Sequence, residues 1–295
     1  MTEIFGLPVS ALLSQLLLGL VNGSFYAMLS LGLAVIFGLL NVINFSHGAL
    51  YMLGAFLAWI GMSYLGLNYW AVLLLAPLAV GALGILIERT MLRRLYKLDH
   101  LYGLLLTFGI TLMAEGVLRS IFGVSGQPFA VPEALEGTFD VGFMMLPRYR
   151  AWVVFASLSV CLATWYTIEK TKLGAYLRAG TENPKLVEAF GINVPVMVTL
   201  TYGFGVALAA LAGVLAAPVI QVTPLMGSNL IIVVFAVVVI GGMGSIMGSI
   251  VTGMGLGVVE GMTRVFYPEL SATVVFIIMV VVLLLRPAGL FGKEK

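Results

Sequence analysis

The stretch FGLLNVINFSHGALYMLG, residues 37–54, places four hydrogen-bonding side chains between two hydrophobic runs. These side chains belong to Asn41, Asn44, Ser46 and His47. Asn and Ser favour helix ends and turns over helix interiors, because their short polar side chains hydrogen-bond the nearby backbone. We therefore predict a discontinuous helix, in which one half ends near Leu40 and the other begins after Ser46 or His47.

The composition of the chain indicates an integral membrane protein. Of its 295 residues, 61% are hydrophobic and only 9% are charged, whereas a soluble domain carries roughly 25% charged residues. Apolar runs long enough to cross a bilayer recur along the chain, and they lack the alternation of a membrane β-barrel. The predicted fold class is all-α, a polytopic membrane helix bundle formed by a single transmembrane domain over 1–295.

The apolar runs predict about eight to nine membrane segments, of which one is expected to be re-entrant. They cover residues 9–40, 48–66, 69–88, 101–123, 149–169, 195–220, 229–243, 246–263 and 270–286. Basic residues mark the cytoplasmic side of a membrane protein. The clusters within 89–97 and 170–185, together with Lys293 and Lys295, therefore place segment 170–194 inside the cell, and the more acidic loop 124–148 outside it.

A weak internal repeat aligns residues 103–122 with residues 248–267, at an offset of 145 positions. Both copies carry the pattern T-x7-E-G-x2-R without gaps. Duplicated halves are common in transporters, and the transport pathway lies between them. The sequence therefore leaves open a duplication of the bundle.

The repeated pattern places a Glu four residues before an Arg in each copy, an order that favours pairing on a helix. A charge near hydrocarbon is costly unless it is paired or functional. We predict ion pairs between Glu115 and Arg119 and between Glu260 and Arg264, with a role in an outer gate or a partner contact as the alternative.

The run GGMGSIMGSIVTGMGLGVVEG, residues 241–261, repeats small residues at a spacing of four. Small residues let helix backbones approach closely inside a membrane. The residues predicted to pack helices in this way are Gly244, Gly248, Gly253, Gly257 and Gly261.

Segment 177–193, LRAGTENPKLVEAFGIN, predicts a short cytoplasmic helix over 184–190. Asn183 suits the N-cap, Pro184 the first helical position and Gly191 the position just past the end. A helix of this length is marginal alone in water and needs a partner surface. That surface is either the protein's own bundle or a cytoplasmic partner.

No catalytic or metal-binding constellation can be assembled from the sequence. Cys161 is the single cysteine, His47 and His100 are the only histidines, and no acidic residue neighbours His47. The chain also lacks the G-x-x-x-x-G-K-[ST] phosphate loop, so ATP would have to be hydrolysed by another protein. We predict a protein that is not an enzyme and has no metal site.

Five motifs stand in order along most of the chain. They are NVINFSHGALYMLGAF (41–56), LGAYLRAGTENPKLVEAFGIN (173–193), LAALAGVLAAP (208–218), VIGGMGSIMGSIVTGMGLGVVE (239–260) and RPAGLFG (286–292). Together they resemble the LivH-like permease of ABC importers for branched-chain amino acids. The resemblance implies an inner (plasma) membrane protein of a bacterial or archaeal cell, with hydrophobic amino acids as its cargo. The implied partners are a second permease subunit of similar fold, an external solute-binding protein and two cytoplasmic ATPases, and ATP and Mg would be bound only by the ATPases.

The resemblance also implies roles for two groups of residues. The coupling helix that docks on an ATPase would use Glu182, Pro184, Leu186, Glu188, Phe190 and Gly191. The translocation pathway would be lined or braced by Asn41, Asn44, Ser46 and His47. Two alternatives stay open: urea or a short amide as cargo, and a stand-alone channel or ion-coupled carrier. The carrier would need charges in mid-membrane, and the sequence shows no central Asp or Lys.

Overall fold

The structure, a computed structural model, describes residues 3–4, 7–40, 44–96 and 98–292. Its α-helices are α1 (Val9–Leu40), α2 (Ser46–Ser63), α3 (Tyr69–Ile87), α4 (Arg93–Leu95), α5 (His100–Phe122), α6 (Arg148–Lys170), α7 (Lys172–Glu182), α8 (Pro184–Ala189), α9 (Val194–Ala216), α10 (Met226–Gly241), α11 (Ile246–Phe266) and α12 (Val274–Leu285). A π-helical turn, Glu88–Leu92, joins α3 to α4. Two short antiparallel pairs complete the regular structure: β1 (Glu3–Ile4) with β2 (Leu7–Pro8), and β3 (Thr138–Asp140) with β4 (Met145–Pro147).

The predicted all-α membrane fold is confirmed, and every predicted apolar segment overlaps a helix. Within the described residues, six helical stretches are long and apolar enough to span a bilayer. They are Val9–Gly38, Tyr69–Leu95, His100–Phe122, Arg148–Lys170, Val194–Ala216 and Ile246–Phe266. The apolar helices α10 and α12 are shorter. The number of passes and the re-entrant segment therefore stay predictions.

The chain divides into two compact units, each built from segments that are distant in sequence. The first unit comprises Met1–Ser30, Ala130–Cys161 and Val233–Lys295. The second comprises Leu31–Phe129 and Leu162–Ile232. The two copies of the internal repeat fall in different units, since α11 belongs to the first and α5 to the second. The single domain expected over 1–295 stays a prediction.

In the first unit, α11 packs closely and antiparallel on the beginning of α1. A Cβ added to Gly253 would lie 2.6 Å from the Cα of Ala27, and one added to Gly261 would lie 2.5 Å from the carbonyl oxygen of Gln15. Gly257, between them, faces the backbone of Gly23. Such close approach needs small residues at the contact. The spacing of four in the sequence therefore corresponds to one continuous helix contact.

Gly244 differs from its predicted role in helix packing. It lies in the turn between α10 and α11, where its φ of +87° requires glycine. Gly248 lies inside α11 and approaches the carbonyl oxygen of Gly241, across that turn. The C-terminal segment holds the end of α10, because Leu290 and Phe291 donate backbone hydrogen bonds of 2.8 and 3.1 Å to Ile240 and Gly241.

The core of the second unit is formed by α2, α3 and α9. Gly54 on α2 faces the backbone of Ala210 on α9, and Gly84 on α3 faces Val206 on α9. Tyr202 of α9 is fully buried in the same core. This packing places the phenol of Tyr202 in the interior of the unit, next to the beginning of α2.

The contact between α1 and α11 predicts different effects of alanine at two neighbouring glycines. Gly257→Ala pushes a methyl group against the Gly23 backbone, so it should lower stability by about 1–3 kcal/mol. Gly255→Ala is the matched control, because nothing lies within 4 Å of its added Cβ. Cys161 is buried, so the temperature at which a thiol-reactive dye labels it reports unfolding. Equal unfolding temperatures for the two variants would contradict the described contact.

Candidate functional site

The described residues of the helix break between α1 and α2 are Asn44 and Phe45, which belong to neither helix. The first helix ends at Leu40, as predicted, and the second begins at Ser46, one or two residues before its predicted start. Asn41 lies outside the described residues, and nothing further is said of it. The N-cap of α2 is Phe45, which has helical dihedral angles and no side-chain capping bond. The polar side chains around the break therefore do not cap α2, and their hydrogen bonds are made elsewhere.

Asn44 joins the break to α9 through a buried chain of hydrogen bonds. Its Nδ2 donates to the Tyr202 hydroxyl at 3.1 Å, and Ser46 Oγ donates to Asn44 Oδ1 at 2.6 Å. All three residues, and His47 beside them, are fully buried. In this conformation Asn44 and Ser46 brace the break from within the protein interior.

Two threonines of α5 satisfy the backbone of the break. The Phe45 N–H donates to Thr107 Oγ1 at 3.1 Å. Thr111 Oγ1 donates to the Phe45 carbonyl oxygen at 3.4 Å. A buried backbone group left without a partner is costly. The side chains of α5 thus supply the hydrogen bonds that a continuous helix would have made within itself.

The beginning of α2 is enclosed by glycines. A Cβ on Gly32 would lie 3.0 Å from the imidazole of His47 and 2.6 Å from the carbonyl oxygen of Gly205. Gly48 and Gly227 approach each other backbone to backbone, at the beginnings of α2 and α10. The absence of a side chain at Gly32 makes room for the His47 imidazole, and its absence at Gly48 and Gly227 lets the beginnings of α2 and α10 meet.

Glu88 is a functional candidate that the sequence reasoning missed. It begins the π-helical turn, it is 0% exposed, and no ion pair to it is found among the described residues. Thr199 Oγ1 donates to Glu88 Oε2 at 2.6 Å, and the Tyr96 hydroxyl donates to Oε1 at 3.0 Å. Burial raises the pKa of the Tyr96 phenol, and the Glu88 carboxylate raises it further.

The signal for Glu88 was weak, because it adjoins Arg89 at the boundary of the apolar segment and looked like one member of a solvated charge cluster. A π turn interrupting an α-helix frequently marks a functional position. The turn aims the carboxylate inward, away from the arginines that follow it.

The two predicted ion pairs differ. Arg264 Nη2 lies 2.7 Å from Glu260 Oε1, and the Tyr26 hydroxyl donates to the other carboxylate oxygen at 2.7 Å. Glu115 instead accepts a hydrogen bond from Ser228, and no ion pair joins it to Arg119 in the described structure. The prediction for Glu115 and Arg119 is therefore wrong in this conformation, because the serine of α10 holds the carboxylate.

The predicted cytoplasmic helix is present as α8. Asn183 Oδ1 accepts from the Leu186 N–H at 3.1 Å, and Gly191 has a φ of +83° just beyond the helix end. Val187 is buried, whereas Leu186 and Phe190 are exposed, Phe190 by 77%. The other residues assigned to the coupling helix, which are Glu182, Pro184, Glu188 and Gly191, are also exposed. The protein's own bundle thus leaves the apolar tip of this segment uncovered.

No group of three or more metal-ligating side chains occurs among the residues that the structure describes. The site, as far as the structure describes it, is a set of hydrogen bonds and buried polar groups within a helix bundle.

Comparison with known proteins adds to this geometry. The family described as "branched-chain amino acid transport system / permease component" matches residues 15–283. The chain is 31% identical to the high-affinity branched-chain amino acid transport system permease protein BraD of Pseudomonas aeruginosa, over 96% of both chains. It is 28% identical to LivH of Escherichia coli, again over 96% of both. It is also 27% identical to LivM of E. coli, over 92% of this chain and 68% of LivM. No solved structure gives a significant match.

Removing the Glu88 carboxylate should destabilise the protein. Glu88→Ala takes away the acceptor of the Thr199 and Tyr96 hydroxyls and leaves a buried void, a loss of about 2 kcal/mol. Glu88→Gln keeps the shape and one acceptor, so its effect should be smaller. Labelling of Cys161 on heating measures both, and Glu133→Ala, an exposed carboxylate outside the membrane helices, is the control. An unfolding temperature for Glu88→Ala equal to that of the control would contradict the described network.

Proposed function

The chain belongs to the family of branched-chain amino acid transport system permease components, and from this membership we propose that it is the membrane subunit of an ABC importer for hydrophobic amino acids. The observation that carries the proposal is the match to BraD and LivH over 96% of this chain and of each relative. A match of that extent reaches into each of the six helices that, among the described residues, are long enough to span a membrane.

The cargo proposed is a branched-chain or other hydrophobic L-amino acid. The names of BraD and LivH, which refer to branched-chain amino acids, support this class. Selectivity would reside chiefly in a solute-binding protein outside the cell, because the helices of this chain are mostly apolar and offer few groups for recognition. Inward movement would follow alternating access in the inner (plasma) membrane of a bacterial or archaeal cell.

The partners proposed are a second permease subunit, two cytoplasmic ATPases and the external binding protein. Similarity to both LivH and LivM supports a hetero-dimer of related permease subunits. ATP and Mg would be held by the ATPases, so this chain would need no cofactor of its own.

The segment 182–191 is proposed as the coupling element that docks on an ATPase. Support comes from α8, whose cap and C-terminal glycine fix a short helix while Leu186 and Phe190 stay exposed. A short helix with uncovered apolar residues is stabilised when a partner groove covers it. Glu182 precedes these residues and Glu188 lies between them, and the two carboxylates would select a groove with basic edges.

The helix break around Asn44 is proposed to brace the translocation pathway, together with Ser46, His47 and the undescribed Asn41. Support comes from its position, where α2, α5 and α9 of the second unit meet at one polar cluster. A change in the Asn44–Tyr202 bond would move the beginning of α2 against α9, which is the kind of discrete rearrangement that gating requires.

Transport by the reconstituted importer tests the function directly. The complete complex in liposomes, with its binding protein, should take up L-leucine and L-phenylalanine only when ATP is present. Uptake of urea in preference to leucine would favour the amide cargo. Uptake by this chain without ATPases, driven by an ion gradient, would favour a carrier, a class in which the buried Glu88 would bind the ion.

Phe190→Asp tests the coupling segment. A charge in place of the most exposed aromatic residue of the segment should weaken docking on the ATPase and lower ATP-driven uptake by about tenfold or more, as for a central interface residue. Tyr267→Asp is the matched control, because Tyr267 is a similarly exposed aromatic residue beyond the end of α11. Membrane levels of both variants are measured by quantitative blotting. Unchanged ATP-driven uptake by Phe190→Asp would contradict the assignment of segment 182–191 as the coupling element.

A further inference from the structure

The two copies of the motif T-x7-E-G-x2-R have the same spacing but different bonding. In α11 the copy is closed, because Glu260 has Arg264 on one carboxylate oxygen and the Tyr26 hydroxyl on the other. In α5 the copy is open: Glu115 is held by Ser228, and Arg119 has no ion pair or side-chain hydrogen bond in the part of the chain that the structure describes. A Glu four residues before an Arg on a helix normally favours the pair, so the open copy needs an explanation.

Arg119 lines a cavity at the end of α5. The cavity measures about 200 Å³ and is lined by Arg119, Val124, Thr223, Pro224, Leu225 and Asn229. The two chain segments that form its walls are tied together by the backbone bridge between Gln127 and Val222, with hydrogen bonds of 2.9 and 3.1 Å. The cavity is therefore a formed feature, and it presents a guanidinium, a hydroxyl and an amide to one small space.

Ser228 and Asn229 connect the cavity to the carboxylate of Glu115. Ser228 donates to Glu115, and its neighbour Asn229 lines the cavity with Arg119. Glu115 precedes Arg119 by four residues, which is about 6 Å along the same helix face. A negative and a positive group thus stand one helical turn apart, and neither neutralises the other.

We propose that the open Glu115–Arg119 pair binds the charged head group of an amino acid, with the α-carboxylate on Arg119 and the α-ammonium on Glu115. This inference rests on the proposed function, which supplies the amino acid as cargo. The planar guanidinium matches a carboxylate through two parallel hydrogen bonds, and Thr223 and Asn229 add donors beside it. Ser228 holds the buried Glu115 carboxylate away from Arg119, so that the guanidinium stays open to the ligand carboxylate; the ligand ammonium would take the place of the Ser228 hydroxyl on Glu115.

The rest of α5 supports a path from this site. Thr107, Thr111, Glu115 and Arg119 follow one another at intervals of four residues, so they form a polar stripe on one face of the helix. The stripe begins at the Phe45 backbone of the helix break and ends at the cavity. The other residues of α5 are mostly exposed and apolar, which makes the stripe the only polar route along this helix in the described structure.

A labelling experiment tests the site without the binding protein. Leu225 lines the cavity, and the only native cysteine is buried, so Leu225→Cys introduces one reactive thiol there. The complete permease–ATPase complex in lipid nanodiscs is labelled with N-ethylmaleimide, and protection is the ratio of the rates without and with leucine for the same variant, because nearby charge changes the reactivity of the thiol. L-leucine at about three times its Kd should slow labelling about fourfold, because the unoccupied fraction falls by 1 + [L]/Kd.

Variants of Arg119 then identify the group that binds. Arg119→Gln should raise the Kd about tenfold or more, so the same leucine concentration should slow labelling only about 1.3-fold. Arg119→Lys keeps the charge without the planar fork and should give intermediate protection. Arg264→Gln, the equivalent change in the closed copy, should leave the full protection. Equal protection by leucine in the Arg119→Gln variant would overturn the proposal.

Two analogues test the two halves of the head group. Leucinol lacks the carboxylate and 4-methylpentanoate lacks the ammonium, so each should protect at least about tenfold less well than leucine. Leucinol as effective as leucine would overturn the role of Arg119. Protection seen only with the leucine-loaded binding protein, and never with free leucine, would assign Arg119 to a carboxylate of that protein and overturn the site.

The same complex separates failure of the site from failure of the function. If the complex takes up leucine with ATP but leucine does not protect the Leu225→Cys thiol from labelling, the head-group site is overturned and the proposed importer function is retained. Absence of any ATP-driven amino-acid uptake by the wild-type complex, with the binding protein present, would remove the premise itself.

Discussion

The second unit depends on one constraint, which is that buried backbone groups must find hydrogen-bond partners inside the protein. The chain leaves helical structure between α1 and α2, and the N–H and carbonyl of Phe45 are then bonded by Thr107 and Thr111 of α5. The threonines of α5 thus help to satisfy the backbone between α1 and α2. This requirement fixes which face of α5 turns inward, and so it also fixes the direction in which Glu115 points.

The same unit shows why its polar groups are joined to small residues. Asn44 reaches Tyr202 because α2 and α9 pack with Gly54 against Ala210 and almost no side chain between them. A methyl group at such a contact would separate the helices and lengthen the hydrogen bond beyond its useful range. Close packing and polar bonding are therefore one structural feature: the glycines set the distance at which the amide and the phenol can meet.

Helix ends and caps, which depend on local chemistry, could be predicted from the sequence. Contacts that depend on the direction in which a side chain points could not. The helix ends at Leu40 and the cap at Asn183 follow from residue types that act within a few positions of themselves. Gly244 was assigned to helix packing because it precedes Gly248 by four residues. That spacing does not show that Gly244 lies in the turn before α11 and only Gly248 in the helix. Glu88 was overlooked because its burial is produced by a π turn and by hydroxyls from Thr199 and Tyr96, residues 111 and eight positions away.

The two copies of the repeated motif have the same Glu–Arg spacing, and the residues of neighbouring helices decide whether the ion pair forms. In α11 both oxygens of the Glu260 carboxylate have a partner, since Arg264 binds one and the Tyr26 hydroxyl of α1 donates to the other. In α5 a serine of α10 occupies the carboxylate, and a pair that an isolated helix would close is held open. Glu115 is buried without a cationic partner in the described structure, and burial of such a charge is costly unless a ligand offsets it. The open copy is therefore the one in which to look for function, and the closed copy serves stability.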